Sequence, residues 1–213
     1  MDEAEAINKT AGFVRATLQE AEGGHDWWHI HRVWTNAKLI AKTGQASTLV
    51  VELAALLHDI ADSKFHNGDE EIGPETAGKF LRSINIDEET VTHVQQIIRH
   101  ISFKAGFDKA AFHSLELDIV QDADRLDAIG AIGIARAFNY GGFKGREIYD
   151  PSIKPNLNMT KTEYKSSTAP TINHFYEKLL LLKDKMRTPT GKKLAAQRHD
   201  FMESYLKQFY SEC

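Results

Sequence analysis

The sequence predicts an all-α protein, on the evidence of its hydrophobic spacing, its helix-boundary residues and its lack of strand-like alternation. Apolar residues recur at steps of three and four along most of the 213 residues, and no stretch of four to eight residues alternates between apolar and polar. Hydrophobic residues make up 42% of the chain and charged residues 26%, which is ordinary for a globular domain. We therefore expect a single domain with one helical core.

Residues suited to helix ends divide this spacing into successive helices. A first helix is expected to end before Gly23, and a second before Gly44. A third helix is expected to continue to Ile60, and the apolar stripe that starts at Leu115 is expected to form one helix to about Phe138. Four residues favour helix starts, as N-caps or as a proline in a first turn: Asp26, Ser47, Pro74 and Asp87.

The periodicity stops after this stripe and resumes near the C-terminus. Residues 140–170 contain the sequence YGGFKGR and three prolines, which predicts a long loop or lid. Two C-terminal helices are expected over about 171–211, one of them running to Met186, packed on a core formed by about residues 10–139.

Hydropathy and charge exclude two classes of protein. The longest apolar runs, LAALL at 53–57 and LLLL at 179–182, are far shorter than the roughly 20 residues that span a bilayer. The N-terminus MDEAEAINKT lacks the features of a secretory signal, so we expect a cytoplasmic protein. The net charge of −4 disfavours binding to bulk nucleic acid.

Histidine is the residue type that stands out, because the chain has ten histidines and a single cysteine, Cys213. Any metal must therefore be held by imidazoles and carboxylates rather than by a thiolate cluster. The dipeptide His-Asp occurs three times, but two occurrences have ordinary explanations. Asp26 is adequately explained as a helix cap, and His199-Asp200 as part of a solvated helix face.

The third dipeptide, His58-Asp59, ends the apolar run VVELAALLHDIAD. Burying two ionisable side chains there without partners would cost several kcal/mol. Adjacent residues on a helix point about 100° apart, so both side chains can reach one ion lodged between helices. The run predicts a metal site completed from other helices, for which the candidates are His29 and His31 in WWHIHRVW, and Asp122, Asp124 and Asp127 in IVQDADRLDAIG.

Three motifs together resemble the HD-domain metal-dependent phosphohydrolases: H-x-x-R-V at 29–33, H-D at 58–59 and A-D-R-L-D at 123–127. The resemblance covers most of the chain and is greatest to small stand-alone bacterial HD proteins, some of them nucleoside-triphosphate pyrophosphohydrolases. It implies a helical HD-domain enzyme that hydrolyses (deoxy)nucleoside triphosphates to monophosphate and pyrophosphate. It also implies four metal ligands, which are His29, His58, Asp59 and Asp124.

The remaining candidates have alternative explanations. His31 is expected at the surface or behind the ligands, while Asp122 and Asp127 either orient ligands or pair with Arg125.

The resemblance implies a catalytic proton-transfer role for Asp62, whose alternative is a salt bridge to Lys64. Some related nucleotidases have a further acidic residue five positions after this carboxylate, but this chain has Asn67 there. The difference weakens the inference of nucleotidase activity from those relatives. Five residues are candidates for contacts to substrate phosphates: Lys64, His100, Arg125, Lys144 and Arg146.

Two imidazoles and two carboxylates favour one divalent ion with open positions, namely Mn, Co, Ni, Fe or Mg. Three other functions stay open. The same metal would serve a nucleotide phosphomonoesterase or cyclic-nucleotide phosphodiesterase, and a second metal near His100 and His113 would suit a di-iron oxygenase. The third is a non-catalytic module that senses a metal or a nucleotide. The sequence leaves the oligomeric state open.

Overall fold

The structure, a computed structural model, describes residues 2–19, 26–42, 44–61, 69, 71–101, 112–160, 163 and 166–213. The regular secondary structure of these residues is entirely helical, which confirms the all-α prediction. Within the described chain, no helix is long and apolar enough to cross a membrane. The chain divides into two compact units, residues 1–124 and 125–213.

The first unit is organised around one buried helix. Its helices are α1 (Glu3–Thr17), α2 (Trp27–Ala41), α3 (Thr48–Leu57), α4 (Ile72–Ser83), α5 (Glu88–His100) and α6 (Leu115–Asp127), the last of which belongs to this unit as far as Asp124. Residues 50–57 of α3 are all buried, and α3 packs against α1, α2 and α5. The strongly apolar run of the sequence is therefore the centre of this unit.

Three predicted N-caps of the first unit are confirmed. The Asp26 carboxylate accepts a hydrogen bond from the His29 backbone N–H at 2.9 Å, and Asp87 accepts one from Thr90 at 2.9 Å. The Ser47 hydroxyl accepts a hydrogen bond from the backbone N–H at position 50, at 3.4 Å. These side chains satisfy N–H groups that a helix leaves without intrahelical partners, which is why they start helices.

Helix ends are less well predicted than helix starts. α1 ends at Thr17, where the Leu18 N–H bonds to the Val14 carbonyl, and the predicted stop at Gly23 lies outside the described residues. α3 ends at Leu57 rather than at Ile60, so His58 is its C-cap. The chain therefore leaves the helix just where the ionisable dipeptide begins.

Among the described residues, the second unit contains the rest of α6 followed by α7 (Gly130–Phe143), α8 (Thr171–Glu177), a 3₁₀ helix (Leu179–Lys185) and α9 (Pro189–Ser211). α9 packs against α7 and the 3₁₀ helix, and α8 packs against the same two segments. Phe138, Phe175 and Tyr205 form an aromatic cluster with ring centroids 5.9–6.1 Å apart.

The prediction of one helix from Leu115 to Phe138 is wrong, because the helix breaks and restarts at Gly130. Gly130 has a φ of +76°, a left-handed conformation that glycine adopts without steric cost. A Cβ at this position would lie 3.0 Å from Cγ of Arg198, so a side chain here would also require Arg198 to shift. The apolar spacing continues across the break, which hides it from a periodicity analysis.

The sequence YGGFKGR proves to be a helix end rather than the start of a loop. α7 continues to Phe143, and Gly145 then takes a φ of +64°, while the Arg146 N–H donates to the Gly141 carbonyl at 2.8 Å. The described non-helical segment begins at Lys144. It is held to α8, where Thr171 N–H donates to the carbonyl of residue 147 at 2.9 Å.

The expected helix through Met186 is also interrupted. Lys178 has φ −144° and ψ −57°, which ends α8 and starts the 3₁₀ helix. Four consecutive leucines and a following lysine preserve helical spacing, so the change in winding has no signal in the apolar pattern.

His174 on α8 provides a test of the second unit by pH. Burial, together with the charges of Lys178 and Arg146, lowers the pKa of His174 from 6.5 to about 4. The unfolded chain therefore binds a proton between these two pH values that the folded chain does not bind, so the folded state loses stability as the pH falls from 6.5 to 4. We expect His174→Gln to remove a pH-dependent loss of roughly 2–3 kcal/mol. Chemical denaturation of both proteins at pH 7 and pH 4.5 measures it, and equal pH dependence in the two would contradict this assignment.

Candidate metal centre

Four side chains of the first unit meet at one point, and each reaches it from the end or the exposed side of a helix. His29 lies in the first turn of α2, three residues after the capping Asp26. His58 and Asp59 follow the last residue of α3, and Asp124 lies on α6. The structure thus brings together all four ligands that the family resemblance implies.

The two imidazoles lie closest to each other, with 3.3 Å between the Nε2 atoms of His29 and His58. Oδ2 of Asp59 lies 3.7 Å from Nε2 of His29 and 3.9 Å from Nε2 of His58. Oδ1 of Asp124 lies 3.6 Å from the first nitrogen and 3.9 Å from the second. His29, His58 and Asp59 form a compact group that could hold a metal ion.

These distances suit a shared divalent ion. Two donor atoms that are each about 2.1 Å from one ion lie about 3.0 Å apart at a right angle and about 4.2 Å apart across the ion. The observed separations of 3.3–3.9 Å fall within this range. Two neutral nitrogens and two carboxylate oxygens are also a donor set that first-row divalent metals accept.

A backbone contact presents the right atom of His58 to the site. Nδ1 of His58 lies 2.9 Å from the carbonyl oxygen of Ala55. A carbonyl can only accept, so in neutral His58 the proton is on Nδ1 and the lone pair is on Nε2, which faces His29. A hydrogen bond of this kind is the usual means of orienting a metal-binding imidazole.

The four groups differ in their access to solvent. The side chains of His29 and His58 are each 2% exposed, whereas that of Asp59 is 22% and that of Asp124 is 41% exposed. The two imidazoles are therefore buried from solvent, whereas the two carboxylates lie on the solvent-exposed side of the site. This arrangement leaves a solvent-facing side at which water and a substrate can approach.

His100 ends α5 and is held from two directions. Its Nδ1 donates to the Gln96 carbonyl at 2.8 Å, and its own carbonyl accepts a hydrogen bond from Gln121 Nε2 at 2.9 Å. Gln121 is buried on α6, three residues before Asp124, and also contacts the carbonyl of Ile101 at 3.3 Å. Sequence reasoning missed Gln121, whose signal was a buried amide inside the apolar stripe of α6.

Among the other candidates, Asp62 and Lys64 lie outside the described residues. Arg125 Nη1 donates to the Lys185 carbonyl at 2.7 Å. In the second unit the Nζ atom of Lys144 lies 5.1 Å from the centre of the exposed Phe143 ring, and Arg146 Nη2 donates to the Ser167 carbonyl at 2.6 Å. Substrate contacts by these residues stay predictions.

The structure also shows the surroundings of several histidines and aspartates that were not chosen as metal ligands. Asp127 is buried and pairs with Arg136 at 2.5 Å, a partner that the sequence analysis did not name, and Asp122 is fully buried. His31 is half-buried with its ring among three tryptophans, and the exposed His113 lies 3.1 Å from Asp118.

The interpretation of His199-Asp200 as a solvated pair is half wrong. Asp200 is exposed, but His199 is buried, with Nε2 3.1 Å from an oxygen of Glu203. The two side chains point about 100° apart on α9, so one can lie on the buried side of the helix while the other faces solvent.

Known proteins resemble the chain in sequence and in structure. The HD domain family model matches residues 27–129. YpgQ of Bacillus subtilis strain 168 is 36% identical over 217 residues, covering 98% of this chain and 94% of YpgQ.

Two solved structures share the fold over nearly the whole chain. An HD-superfamily hydrolase of Bacillus thuringiensis is 42% identical with a TM-score of 0.80, covering 99% of this chain and 98% of that one. YpgQ in complex with ADP is 34% identical with a TM-score of 0.80, covering 100% of this chain and 97% of that one. The chain therefore belongs to the HD domain family and is a metal-dependent hydrolase of the HD superfamily.

Proposed function

We propose that the protein hydrolyses ribo- and deoxyribonucleoside triphosphates to the monophosphate and pyrophosphate, using one divalent metal ion. The observation that carries the proposal is the convergence of four donor atoms, from His29, His58, Asp59 and Asp124, at mutual distances that suit a single ion. One ion with an open side fits a hydrolase that activates water next to a bound phosphate.

The donor set disfavours magnesium among the ions considered. Magnesium is usually bound through oxygen atoms and retains several waters, whereas two imidazole nitrogens suit Mn, Fe, Co or Ni. When bound, such an ion polarises a phosphoryl oxygen and lowers the pKa of a coordinated water. We therefore expect manganese or another of these metals to support activity better than magnesium.

The chain's own residues would divide the remaining work. His29 and His58 would coordinate the ion from the buried side of the site, and the carboxylates of Asp59 and Asp124 would coordinate it from the solvent-exposed side. Asp62 would accept the proton from the attacking water, the general-base role that a positioned carboxylate can fill. Cationic side chains then neutralise the phosphate oxygens of the substrate.

A nucleotide as substrate has separate support from a relative. The B. subtilis protein YpgQ, which aligns over the whole of this chain, has been crystallised with ADP. A nucleoside triphosphate carries more negative charge than a phosphate monoester, so it can bind several cationic side chains at once. A cytoplasmic location would bring the enzyme to the cellular pool of such nucleotides.

A screen of metals against nucleotides tests the proposal, provided that phosphate and pyrophosphate are measured separately. Pyrophosphate and a monophosphate should form in equal amounts from triphosphates with manganese present. Release of inorganic phosphate from monophosphates, without pyrophosphate from any triphosphate, would replace the proposal with the phosphomonoesterase alternative. Activity on cyclic nucleotides alone would favour the phosphodiesterase.

Lys144 and Arg146 can be separated by mutation because the structure gives them different contacts. Lys144→Ala removes an exposed charge, so if the 140–170 segment covers the phosphates, KM should rise much more for triphosphates than for a small aryl phosphate. Arg146→Ala also removes the hydrogen bond to the Ser167 carbonyl, so we expect it to lower the melting temperature as well. Steady-state kinetics and thermal melts check both. Equal KM increases for the two substrates would rule out the lid role of Lys144.

A further inference from the structure

The outer side of α7 is exposed and apolar. The structure describes all 14 residues of this helix, and Arg136 is the only charged residue among them. Arg136 is half-buried, and its guanidinium pairs with Asp127. A helix that is hydrophobic all round is normally buried on every side, but α7 buries Gly133, Ile134 and Gly141 and leaves the opposite side open.

Helical spacing places the exposed residues of α7 along one stripe. Positions 132, 135, 139 and 143 follow each other at steps of three and four, and positions 131 and 140 flank them. Phe143 is 68% exposed, Tyr140 50% and Ile132 43%. We call this surface the α7 face, and its members are Ala131, Ile132, Ala135, Asn139, Tyr140 and Phe143.

The neighbouring helix α9 adds another exposed aromatic ring. α9 packs against α7, and a Cβ at Gly130, the first residue of α7, would lie 3.0 Å from Cγ of Arg198 on α9. Phe201 follows Arg198 by about one helical turn and is 52% exposed. The ring of Phe201 therefore belongs to the same part of the second unit as the start of the α7 face.

The area of this surface matches the apolar part of a homodimer interface. An aromatic side chain offers about 150–250 Å² when fully accessible, so the accessible parts of Tyr140, Phe143 and Phe201 amount to roughly 250–400 Å². The other residues of the α7 face bring the total to about 500 Å², near the upper limit for apolar patches on monomeric proteins. A standard interface buries about 800 Å² of each partner, and about 65% of it is apolar in homodimers, which is also about 500 Å².

We propose that the protein forms a two-fold dimer in which the α7 faces of two copies pack against each other with their helices antiparallel. A two-fold axis brings the same surface of both copies together, so this surface must be complementary to itself. The α7 face meets this condition because the small residues Ala131 and Ala135 lie in one half and the rings of Tyr140 and Phe143 lie in the other. Antiparallel packing places the rings of each copy opposite the alanines of the other, whereas parallel packing would oppose the two Phe143 rings.

The charges near the α7 face favour the same arrangement. All members of the face are described and none is a carboxylate, so the net charge of −4 on each copy is not concentrated there. Lys144 lies at the rim, with its Nζ 5.1 Å from the centre of the Phe143 ring and 5.7 Å from that of Tyr140. In an antiparallel pair the two Lys144 residues lie at opposite ends, about 20 Å apart, which exceeds the Debye length of about 8 Å. Parallel packing would bring the two cations together.

Sedimentation equilibrium of the full chain tests the dimer. The wild-type protein should have twice the 24.0 kDa mass of one chain. Ile132→Glu would place two like charges in a desolvated interface and should weaken dimerisation by roughly 100-fold or more. Leu39→Glu is the matched control, because Leu39 on α2 is also 43% exposed, and it should stay dimeric. Both positions are exposed in the single chain, so both variants should keep the helical circular dichroism of the wild type.

A pair of opposite charges tests the antiparallel arrangement. Ala131→Glu and Phe143→Lys should each weaken the dimer when made alone, and both charges suit the helix ends at which they lie. The double variant should restore the dimer, because each glutamate then lies opposite a lysine of the other copy.

Two results would overturn the dimer: a wild-type protein that stays monomeric at every concentration, which would leave the α7 face to a different partner, or an Ile132→Glu variant that is as dimeric as the wild type. A double variant no more dimeric than the two single variants would overturn the antiparallel arrangement. None of these measurements depends on hydrolysis, so they are independent of the proposed reaction.

Discussion

Asp59→Asn is expected to remove the bound metal and nearly all hydrolytic activity. Asparagine has the same shape as aspartate but is neutral, so the substitution removes a negative charge that lies 3.7–3.9 Å from two imidazole nitrogens. Loss of a hydrogen-bond partner behind a metal ligand already costs about 10- to 100-fold in metal affinity or activity. Loss of a charged ligand should cost more.

Metal content by elemental analysis and melting temperature measure this effect together. An ion that binds only the folded state stabilises it, by about 2.7 kcal/mol when present at 100 times its Kd. A chelator should therefore lower the melting temperature of the wild-type protein and abolish its activity, but should leave the melting temperature of Asp59→Asn unchanged.

Asp200→Asn is a matched control, because it makes the same change in another His-Asp dipeptide whose aspartate is exposed on α9. It should keep metal, stability and activity. Unchanged activity and melting in wild-type protein, after elemental analysis has verified that the metal is gone, would contradict an essential metal at this site.

Asp62→Asn is expected to separate the chemistry from metal binding. If Asp62 transfers the proton, the variant should keep its metal and its melting temperature but lose roughly 100-fold or more in kcat, the usual scale for a positioned acid or base. The limb of the pH–rate profile that reports this carboxylate should disappear as well, which a purely structural role would not produce.

Lys64 supplies the comparison for Asp62. If Asp62 served only as its salt-bridge partner, Asp62→Asn would lose one ion pair, which is worth about 0–1 kcal/mol where such a pair lies at a protein surface, and turnover would stay near normal. Near-normal turnover in Asp62→Asn would therefore assign the proton transfer to another group.

Much of the fold and the importance of His58-Asp59 follow from the sequence by itself, whereas the choice of His29 and Asp124 rests on the family resemblance. Helix starts were predictable because Asp26, Ser47 and Asp87 act on N–H groups within three residues of themselves, a local interaction that short sequence patterns contain. The candidate metal site was predictable for another reason. His58 and Asp59 stand next to a helix whose residues 50–57 are all buried, and polar groups in such a place need partners.

Only the tertiary structure decided how these residues meet. The sequence places His29, His58 and Asp124 far apart along the chain, and packing within the first unit brings their donor atoms to 3.3–3.9 Å. The helix break at Gly130 and the burial of His199 likewise depend on neighbours distant in sequence or on backbone conformation. Apolar periodicity records which side of a helix is buried, but it does not record which other segment covers that side or where the backbone changes direction.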